Sequence, residues 1–323
     1  MTDHLVVAEG LVKHYPVRGR GTLAAVDGVD LRVERGTTLA LVGESGCGKS
    51  TTGRLLLALE RPDVGRVTVA GQEVHALGRR DLRALRRTMQ PVFQDPYDAL
   101  NARMTVERIV AEPLRVHHAG GDVPARVREL LATVSLDPAL ASRYPHELSG
   151  GQRQRVAIAR AIALDPAFVV CDEPVSALDV SVQAQVVNLL RRLQDERGIT
   201  YLFISHDLAL VRHLAQRVAV MYLGRIVEEG PAGELFADPR HPYTRLLLAA
   251  APRPRVRDRD PAPVAVAGET PGALSRGRGC AFAPRCPLAT GLCRTDDPPL
   301  RALPGTERKA ACHYAESSRA GAA

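Results

Sequence analysis

Residues 43–51 of this 323-residue chain read Gly43-Glu44-Ser45-Gly46-Cys47-Gly48-Lys49-Ser50-Thr51, which fits the pattern G-x-x-x-x-G-K-[ST]. An apolar stretch before it, residues 38–42, predicts a buried strand, and residues 49–59 predict a helix. A glycine-rich turn between a strand and a helix aims its backbone N–H groups inward and adds the positive end of the helix dipole. The stretch therefore predicts a polyphosphate-binding loop, with a chance glycine-rich turn as the alternative.

Three side chains of this loop predict how the polyphosphate is held. Lys49 is expected to reach the outer phosphate oxygens, Ser50 to bind Mg²⁺ through its hydroxyl, and Thr51 to hydrogen-bond an inner phosphate. The lysine is informative because the chain holds only two others, Lys13 and Lys309, among 43 basic residues. Because nearly all other basic residues are arginine, a lysine with its compact ammonium group at this position indicates a specific role.

The composition limits the function classes. A chain of this length with 45% hydrophobic residues can bury one large core and a small additional unit. We find no signal-peptide pattern at the N-terminus and no apolar run of the roughly 18–20 residues that span a membrane, so we expect an intracellular protein, soluble or peripheral. The net charge of +7 is concentrated after residue 251, and aromatic residues make up 4% with no tryptophan. No nucleic-acid partner is expected.

The hydrophobic pattern predicts an α/β fold. Further strands are expected at residues 5–8, 10–15, 24–33, 65–71, 167–171 and 200–204, and another ends at residues 92–96. Further helices are expected at residues 81–87, 105–111, 125–134, 152–164 and 181–196. From about residue 95 to 165 the segments are helical, with Pro and Gly between them. The sequence therefore predicts an all-helical insert in an α/β frame.

A second glycine motif lies where the insert ends, in the run Glu147-Leu148-Ser149-Gly150-Gly151-Gln152. It opens the predicted helix at residues 152–164, so its backbone N–H groups predict another anion site. The Ser149 hydroxyl is placed as a further donor at the start of that helix.

Polar side chains follow two of the predicted buried strands. Asp172 and Glu173 close one strand, and His206 follows the next. Since ligands of open α/β sheets bind at the carboxyl ends of strands, Asp172 suits Mg²⁺ and Glu173 suits the general base for an attacking water. His206 could donate to a γ-phosphate, and Tyr15 could stack on adenine at a sheet edge. The alternatives are a solvated acidic turn, a structural histidine and a half-buried edge tyrosine.

From residue 5 to about 251 the sequence resembles the ATPases of the ATP-binding cassette (ABC) family. Six matching parts occur in the family's order: residues 43–51, Gln94, the signature residues 148–152, Asp172-Glu173, residues 176–179, and His206. The resemblance implies a P-loop NTPase core with a mixed sheet, an antiparallel β subdomain and an inserted helical subdomain at about residues 95–165. It also implies ATP and Mg²⁺ as ligands.

The resemblance implies roles for individual residues. The implied nucleotide-binding residues are Tyr15, Gly43, Glu44, Ser45, Gly46, Cys47, Gly48, Lys49, Ser50, Thr51, Gln94, Ser149, Gly150, Gly151, Gln152, Asp172 and Asp179. The implied catalytic residues are Glu173, His206, Lys49 and Gln94, and the implied Mg²⁺ ligands are Ser50, Gln94 and Asp172. In this family two domains pair head to tail, so the signature residues would serve a nucleotide held mainly by the partner.

Shorter runs narrow the resemblance to the ATP-binding subunits of bacterial oligopeptide and dipeptide importers. They are residues 87–97, 143–147, 174–181 and 241–244. The F-type subunit is the most similar, which implies a D-type ATPase partner, two transmembrane permease subunits, an extracytoplasmic peptide-binding protein and a peripheral place on the cytoplasmic face of the inner membrane. The implied function is ATP hydrolysis that drives peptide import. An importer of another small solute such as nickel, and a soluble non-transport ABC ATPase, are the alternatives.

The sequence after residue 251 departs from a bare ATPase. An ATPase domain is predicted at residues 1–251, a linker or extended arm rich in Pro, Arg, Ala and Gly at residues 252–279, and a small C-terminal domain at residues 280–323.

The predicted C-terminal domain holds four of the six cysteines: Cys280, Cys286, Cys293 and Cys312. In an intracellular protein this clustering favours a metal site over disulfides, with His313 as a possible substitute for Cys312. The resemblance implies a [4Fe-4S] cluster, because peptide-importer ATPases often carry such an extension. Zn²⁺ and four free thiols are the alternatives. Cys47 and Cys171, in the nucleotide core, are predicted to be packing residues.

Overall fold

The computed structural model of the chain describes residues 3–17, 21–250 and 278–316. Its strands are β1 (His4–Val17), β2 (Gly21–Glu34), β3 (Thr38–Val42), β4 (Val64–Val69), β5 (Gln72–Glu73), β6 (Met89–Val92), β7 (Phe168–Asp172), β8 (Thr200–Ser205), β9 (Arg217–Tyr222), β10 (Arg225–Pro231), β11 (Arg301–Ala302) and β12 (Lys309–Ala310). Except for its last two residues, the predicted linker at residues 252–279 lies outside the described residues.

The helices lie between groups of these strands along the chain. They are α1 (Lys49–Leu56), α2 (Arg79–Leu85), α3 (Pro96–Ala99), α4 (Val106–Val116), α5 (Val123–Thr133), α6 (Gly150–Ala161), α7 (Val180–Arg197), α8 (Leu208–Leu214), α9 (Ala232–Ala237), α10 (Pro242–Ala250) and α11 (Gly291–Thr295), with 3₁₀ turns at Pro138–Ser142, Pro145–Glu147 and Ala283–Arg285. Within the described residues, no helix is both long enough and apolar enough to span a membrane.

The described strands form two sheets, as the ABC resemblance predicts. One is antiparallel with the order β2-β1-β4-β5, and the other is mixed with the order β11-β12-β10-β9-β3-β8-β7-β6. Strands β6, β7, β8, β3 and β9 pair in parallel, and antiparallel pairing begins between β9 and β10. Parallel neighbours require crossover connections, which the helices provide.

Several element boundaries differ from the sequence prediction by a few residues, and two of these differences have a clear local reason. The strands expected at residues 5–8 and 10–15 are one strand, β1, because a bulge between Ala8 and Leu11 lets the pairing with β2 continue past Gly10. The helix expected at residues 49–59 ends at Leu56, and Ala58 takes a left-handed backbone conformation with φ of 50°.

Strand β3 separates two hydrophobic cores. Ala40 and Val42 contribute to a core with the helical insert and α7, whereas Leu39 and Leu41 contribute to a core with α1 and the antiparallel sheet. Side chains alternate between the faces of a strand, so a run of five buried residues must be covered on both sides. This burial fixes the end of β3, from which the glycine-rich loop emerges.

Between β6 and β7 the chain is described throughout and forms only helices and turns, as predicted for the insert. Thr105 caps the N-terminus of α4, because its side chain accepts a hydrogen bond from the Arg108 amide, and α4 contributes Ile109 to the first core.

The C-terminal segment, residues 278–316, packs on the mixed sheet. Strand β12 pairs antiparallel with β10 and extends this sheet at its edge. Arg308 forms a 3.0 Å ion pair with Glu228, and their side chains are only 4% and 0% exposed. Phe282 is 1% exposed and belongs to the core that contains the helical insert. The segment is therefore held by backbone pairing, a buried charge pair and an aromatic anchor.

Candidate functional site

Four parallel strands end level with one another at one edge of the mixed sheet. Val42 of β3 pairs with Ser205 of β8, and Ile204 of β8 pairs with Asp172 of β7. The next pair outward is Cys171 of β7 with Val92 of β6. The segments that follow these strands carry the predicted site residues, so the topology brings them to the same edge.

The glycine-rich loop follows β3 and requires glycine for close backbone approach. A Cβ atom at Gly43 would lie 2.2 Å from the carbonyl oxygen of Met221, and one at Gly48 would lie 2.0 Å from that of Ala25. Gly48 also has a left-handed φ of 108° directly before α1. The loop is wedged between β2 and the end of β9, with the N-terminus of α1 behind it.

Lys49 places its ammonium group inside the loop. The residue is 4% exposed, and its Nζ donates hydrogen bonds to the carbonyl oxygens of Gly43 at 2.8 Å and Glu44 at 2.9 Å. This fixed positive charge lies beside the N-terminal end of α1, whose free N–H groups also attract anions. The arrangement suits the oxygens of a phosphate chain.

Ser50 and Asp172 form a pair of hard oxygen donors beside the loop. The Ser50 hydroxyl donates to Asp172 Oδ1 at 2.9 Å. Burial raises the pKa of Asp172 above its ordinary value; the hydrogen bond from Ser50 opposes this shift, and the neighbouring Glu173 adds to it. A carboxylate in this setting gains from a nearby cation, and carboxylate and hydroxyl oxygens are ligands that Mg²⁺ accepts. These residues therefore fit the predicted Mg²⁺ site.

Two other predicted catalytic residues, Gln94 and His206, contact Glu173. Gln94 Nε2 donates to Glu173 Oε2 at 3.3 Å, and His206 Nδ1 lies 3.3 Å from the same oxygen. The side chain of Glu173 is 13% exposed, whereas that of His206 is 59% exposed. The structure thus brings together three residues from the ends of three different strands.

The backbone of Glu173 is strained. Its φ is 44°, a left-handed value that costs a non-glycine residue about 1–3 kcal/mol. Its N–H group donates to the carbonyl oxygen of Ile204 at 3.0 Å, which ties the residue to the end of β8. Strain of this kind persists where the surrounding structure holds the residue, and here it aims the carboxylate across the strand ends.

An open groove of about 740 Å³ lies beside the Ser50–Asp172 pair and Gln94. On the sheet side it is lined by Ser50, Gln94 and Asp172, and on the side of the helical insert by Glu112, Pro113 and Arg160. The groove connects the predicted Mg²⁺ site with the surface of the insert.

Tyr15 lies next to the last residue of the glycine-rich loop. Its hydroxyl hydrogen-bonds to the Glu60 carboxylate, and Lys13 Nζ lies 5.7 Å from its ring centroid. Burial raises the pKa of Tyr15, the bond to Glu60 adds to this rise, and a hydrogen bond with Thr51 opposes it. Its ring is thus held at the loop's edge, and stacking on adenine remains a prediction.

The signature residues begin α6. Ser149 accepts a hydrogen bond from the Gln152 amide at 3.2 Å, and the Gln152 side chain accepts one from the Ser149 amide at 2.9 Å, which is a capping box. A Cβ atom at Gly151 would lie 2.5 Å from Val182 of α7, and Asp179 caps α7 through the Val182 amide at 3.1 Å. The signature therefore packs on the start of α7, and its role toward a nucleotide remains a prediction.

The prediction of a [4Fe-4S] cluster is wrong. Within residues 3–17, 21–250 and 278–316, no group of three or more His, Cys, Asp or Glu side chains is arranged to hold a metal ion. The four cysteines of the C-terminal segment are free thiols: Cys280, Cys286, Cys293 and Cys312. The same finding gives no support to Zn²⁺ at this position, and the ring of His313 approaches Asp296 instead.

The physical reason lies in how these thiols are buried. They line a small cavity of about 20 Å³, and burial raises the pKa of Cys280 to about 11. Burial also raises the pKa values of Cys286 and Cys312. Apolar side chains such as Phe282 and Leu288 also line this cavity, and neutral thiols pack in such surroundings as small apolar groups. Cys47 and Cys171 are likewise buried, as predicted for packing residues.

Sequence reasoning missed two residues that contact the loop. Arg285, in the C-terminal segment, donates to both carboxylate oxygens of Glu44 at 2.8 Å. The Tyr243 hydroxyl accepts a hydrogen bond from the Glu44 amide at 2.9 Å. Both partners lie about two hundred or more positions from Glu44 along the chain, and neither belongs to a motif that predicts this contact.

Comparison with known proteins gives two family matches. Residues 26–176 match the ABC transporter family, and residues 227–293 match the C-terminal region of oligopeptide/dipeptide transporters. The chain is 51% identical over 324 residues to the probable peptide ABC transporter ATP-binding protein y4tS of Sinorhizobium fredii, covering 97% of this chain and 90% of the relative. It is 47% identical over 321 residues to the di/tripeptide transport ATP-binding protein DppF of Pseudomonas aeruginosa, covering 97% and 98%.

Solved structures match the same core. One is a dimeric structure of the ATP-binding cassette MJ0796 in a post-hydrolysis state bound to ADP and Pi, with a TM-score of 0.65 and 30% identity over 70% of this chain and 98% of that one. Another is cbiO1 from Clostridium perfringens, part of the transporter complex cbiONQ, with a TM-score of 0.64 and 28% identity over 73% of this chain and 91% of that one.

Proposed function

Because the chain belongs to the ABC transporter family of peptide-importer ATP-binding proteins, we propose that it binds and hydrolyses ATP to drive the uptake of di- and oligopeptides across the cytoplasmic membrane. The observation that carries this proposal is the convergence of Lys49, the Ser50–Asp172 pair and the Gln94–Glu173–His206 cluster at one sheet edge. Charge neutralisation, a cation site and a positioned base are the three needs of phosphoryl transfer to water.

The loop and α1 bind the phosphates in this proposal. Lys49 and the N–H groups at the start of α1 neutralise the β- and γ-phosphate oxygens of ATP. Ser50 and Asp172, with Gln94 nearby, hold Mg²⁺. When bound, Mg²⁺ neutralises further charge on the phosphate oxygens. Tyr15 stacks on the adenine base from the edge of the antiparallel sheet.

The Glu173 cluster acts on the attacking water. Glu173 orients the water and accepts its proton, while Gln94 holds one side of the carboxylate. The ring of His206 is largely exposed and lies beside the Glu173 carboxylate. In this proposal it contacts the γ-phosphate of ATP. The water is thereby placed between a fixed acceptor and the bound phosphate chain.

A second ATPase domain completes the site. We infer that the chain pairs head to tail with a D-type ATPase subunit, so that Ser149 and Gly151 of each chain face the nucleotide of the other. The dimeric cassette among the solved structures supports the pairing of two such domains. Asp179, which caps α7 beside the signature, lies in the contact loop between the two chains.

The groove beside Gln94 is the proposed point of coupling to the membrane. Permease and solute-binding proteins are the partners of this transporter family. We infer that a permease subunit docks where the helical insert meets Gln94, with the chain peripheral on the cytoplasmic face of the inner membrane. Residues 1–251 then form the ATPase domain, and the C-terminal segment is an addition to it.

Affinity isolation of the tagged chain from detergent-solubilised membranes tests the proposal. Mass spectrometry should identify two polytopic permeases and a second ATPase, and the associated solute-binding protein should bind di- or oligopeptides. Recovery without membrane proteins, alone or with ribosomes or DNA, would refute the transport function. A solute-binding partner that takes nickel and no peptide would refute the substrate class. No observation on this chain favours either alternative.

A further inference from the structure

We propose that Arg285 is a positioning residue for the phosphate-binding loop, through which the C-terminal segment holds that loop in its ATP-binding shape. The inference rests on the proposed ATPase function and adds a residue to the same site. Its basis is the two-point contact in which Arg285 Nη1 and Nη2 donate to the two carboxylate oxygens of Glu44, each at 2.8 Å. A bidentate pair of this kind fixes orientation as well as distance.

Among the contacts between described residues, Glu44 is held by its amide, its carbonyl oxygen and its carboxylate, and the carbonyl oxygen contacts Lys49. Its amide donates to the Tyr243 hydroxyl at 2.9 Å, and its carbonyl oxygen accepts from Lys49 Nζ at 2.9 Å. The carboxylate is the third of these groups and is bound to Arg285. A shift of Glu44 would therefore move an acceptor that positions the ammonium group of Lys49.

The C-terminal segment is fixed to the rest of the protein on both sides of Arg285. Phe282, three residues before Arg285, packs edge-on against Tyr222 with ring centroids 5.4 Å apart and against Tyr243 at 5.5 Å. The same segment is fixed at its other end by the buried ion pair of Arg308 with Glu228. Arg285 is thus attached to a framework that packs on the sheet, and its guanidinium does not follow the loop freely.

Arg285 also neutralises a charge that would oppose ATP. Its side chain is 6% exposed and that of Glu44 is 24% exposed, so water screens the pair only in part. The hydrogen bonds that Arg285 donates to Glu44 raise the pKa of Arg285, in keeping with a pair held in its charged form. Without the guanidinium, the Glu44 carboxylate would lose this bidentate counter-ion in the loop that binds a polyanion. Loss of Arg285 should therefore weaken ATP binding more than it slows the chemical step.

Equilibrium binding of a fluorescent ATP analogue to the full chain, with hydrogen exchange at the amides of residues 43–49, tests this role. We expect Arg285→Ala to raise the Kd about tenfold and to speed exchange in the loop while β8 keeps its protection. Arg285→Lys should recover part of the affinity, because it restores the charge without the bidentate geometry. Adding Glu44→Gln to Arg285→Ala should also recover part of it by removing the negative charge that Arg285 had neutralised.

Arg301→Ala is the matched control, since Arg301 lies in the same segment and pairs at 3.5 Å with Glu316 of that segment. It should bind the analogue as the unaltered chain does. Wild-type affinity in Arg285→Ala, or no recovery in Arg285→Lys and in the double variant, would overturn the proposal. Faster exchange in β8 as well as in the loop would also overturn it, because it indicates general unfolding. If Arg285→Ala does not fold, the affinities of the single variants Arg285→Lys and Glu44→Gln for the analogue decide whether the proposal stands. Failure of the unaltered chain to bind the analogue would instead refute the ATPase function.

Discussion

Replacing Glu173 by glutamine tests the proposed chemistry most directly. The carboxylate lies 3.3 Å from both Gln94 Nε2 and His206 Nδ1 and is 13% exposed. An amide has nearly the same shape and can hydrogen-bond to both neighbours, but it cannot accept a proton from water. We expect Glu173→Gln to bind ATP with Mg²⁺ normally and to hydrolyse it very slowly.

The expected loss follows from the role of a positioned base. Such a group contributes about 10²–10⁴-fold to a rate, which is about 3–5 kcal/mol at 1.36 kcal/mol per tenfold. The strained backbone at Glu173, with φ of 44°, is unchanged by the substitution and should keep the side chain in place. The free energy of unfolding should change by about 1 kcal/mol or less, because a hydrogen-bonding atom remains at each position.

The assay is phosphate release from the chain assembled with its transporter partners, together with ATP binding measured separately. Glu129→Gln is the matched control, because Glu129 is an exposed glutamate of α5 that pairs with Arg126 at 2.8 Å. This control should hydrolyse ATP at the rate of the unaltered chain. A Glu173→Gln variant that also does so would show that Glu173 is not the base. A variant that fails to bind ATP would show that its main role is structural.

Three further predictions concern the cation, the core and pH. Ser50→Ala should raise the Mg²⁺ concentration for half-maximal hydrolysis by about tenfold, since one hydroxyl ligand is lost, and chelation of Mg²⁺ should abolish hydrolysis. Ser50→Thr keeps the hydroxyl, so an equal defect in both variants would contradict the ligand role. In denaturant titrations, Phe282→Ala should lower the free energy of unfolding by about 3–5 kcal/mol and Phe282→Leu by about 1.5 kcal/mol or less. A loss under about 1 kcal/mol for the alanine variant would mean that Phe282 does not anchor the segment. Burial lowers the pKa of His241 to about 3, so between about pH 6.5 and this value the unfolded state binds a proton that the folded state does not. The free energy of unfolding should fall by up to about 1.4 kcal/mol per pH unit through this window as the pH drops, and His241→Gln should remove that part of the slope in denaturant titrations at pH 7 and 5.5; an unchanged slope would show that His241 titrates normally.

Local patterns predicted most of the site. The loop at residues 43–51, the buried strand before it and the helix after it depend on neighbouring residues, and the structure has them at β3 and α1. The capping box of Ser149 and Gln152 is likewise a contact over three positions. The polar residues at strand ends were predictable because parallel strands present their carboxyl ends at one edge.

The cysteine prediction failed where the pattern left geometry open. Four thiols within a short segment suggest a metal, but spacing does not determine whether sulfur atoms converge as thiolates or pack as neutral groups. The structure buries them around a small cavity, and burial raises the pKa of Cys280. The sequence shows how many cysteines the segment holds, but it does not show how their sulfur atoms are arranged.

The sequence by itself determined the loop, its flanking elements and the residue types of the site, because dihedral preferences, caps and hydrophobic periodicity act over a few neighbouring residues. Only the tertiary structure decided which distant groups support them. It placed Arg285 against Glu44 across 241 positions of chain, and it joined Gln94 to Glu173 across 79. Such contacts depend on how the sheet orders its strands and how the segments pack on it, and no local preference encodes that order.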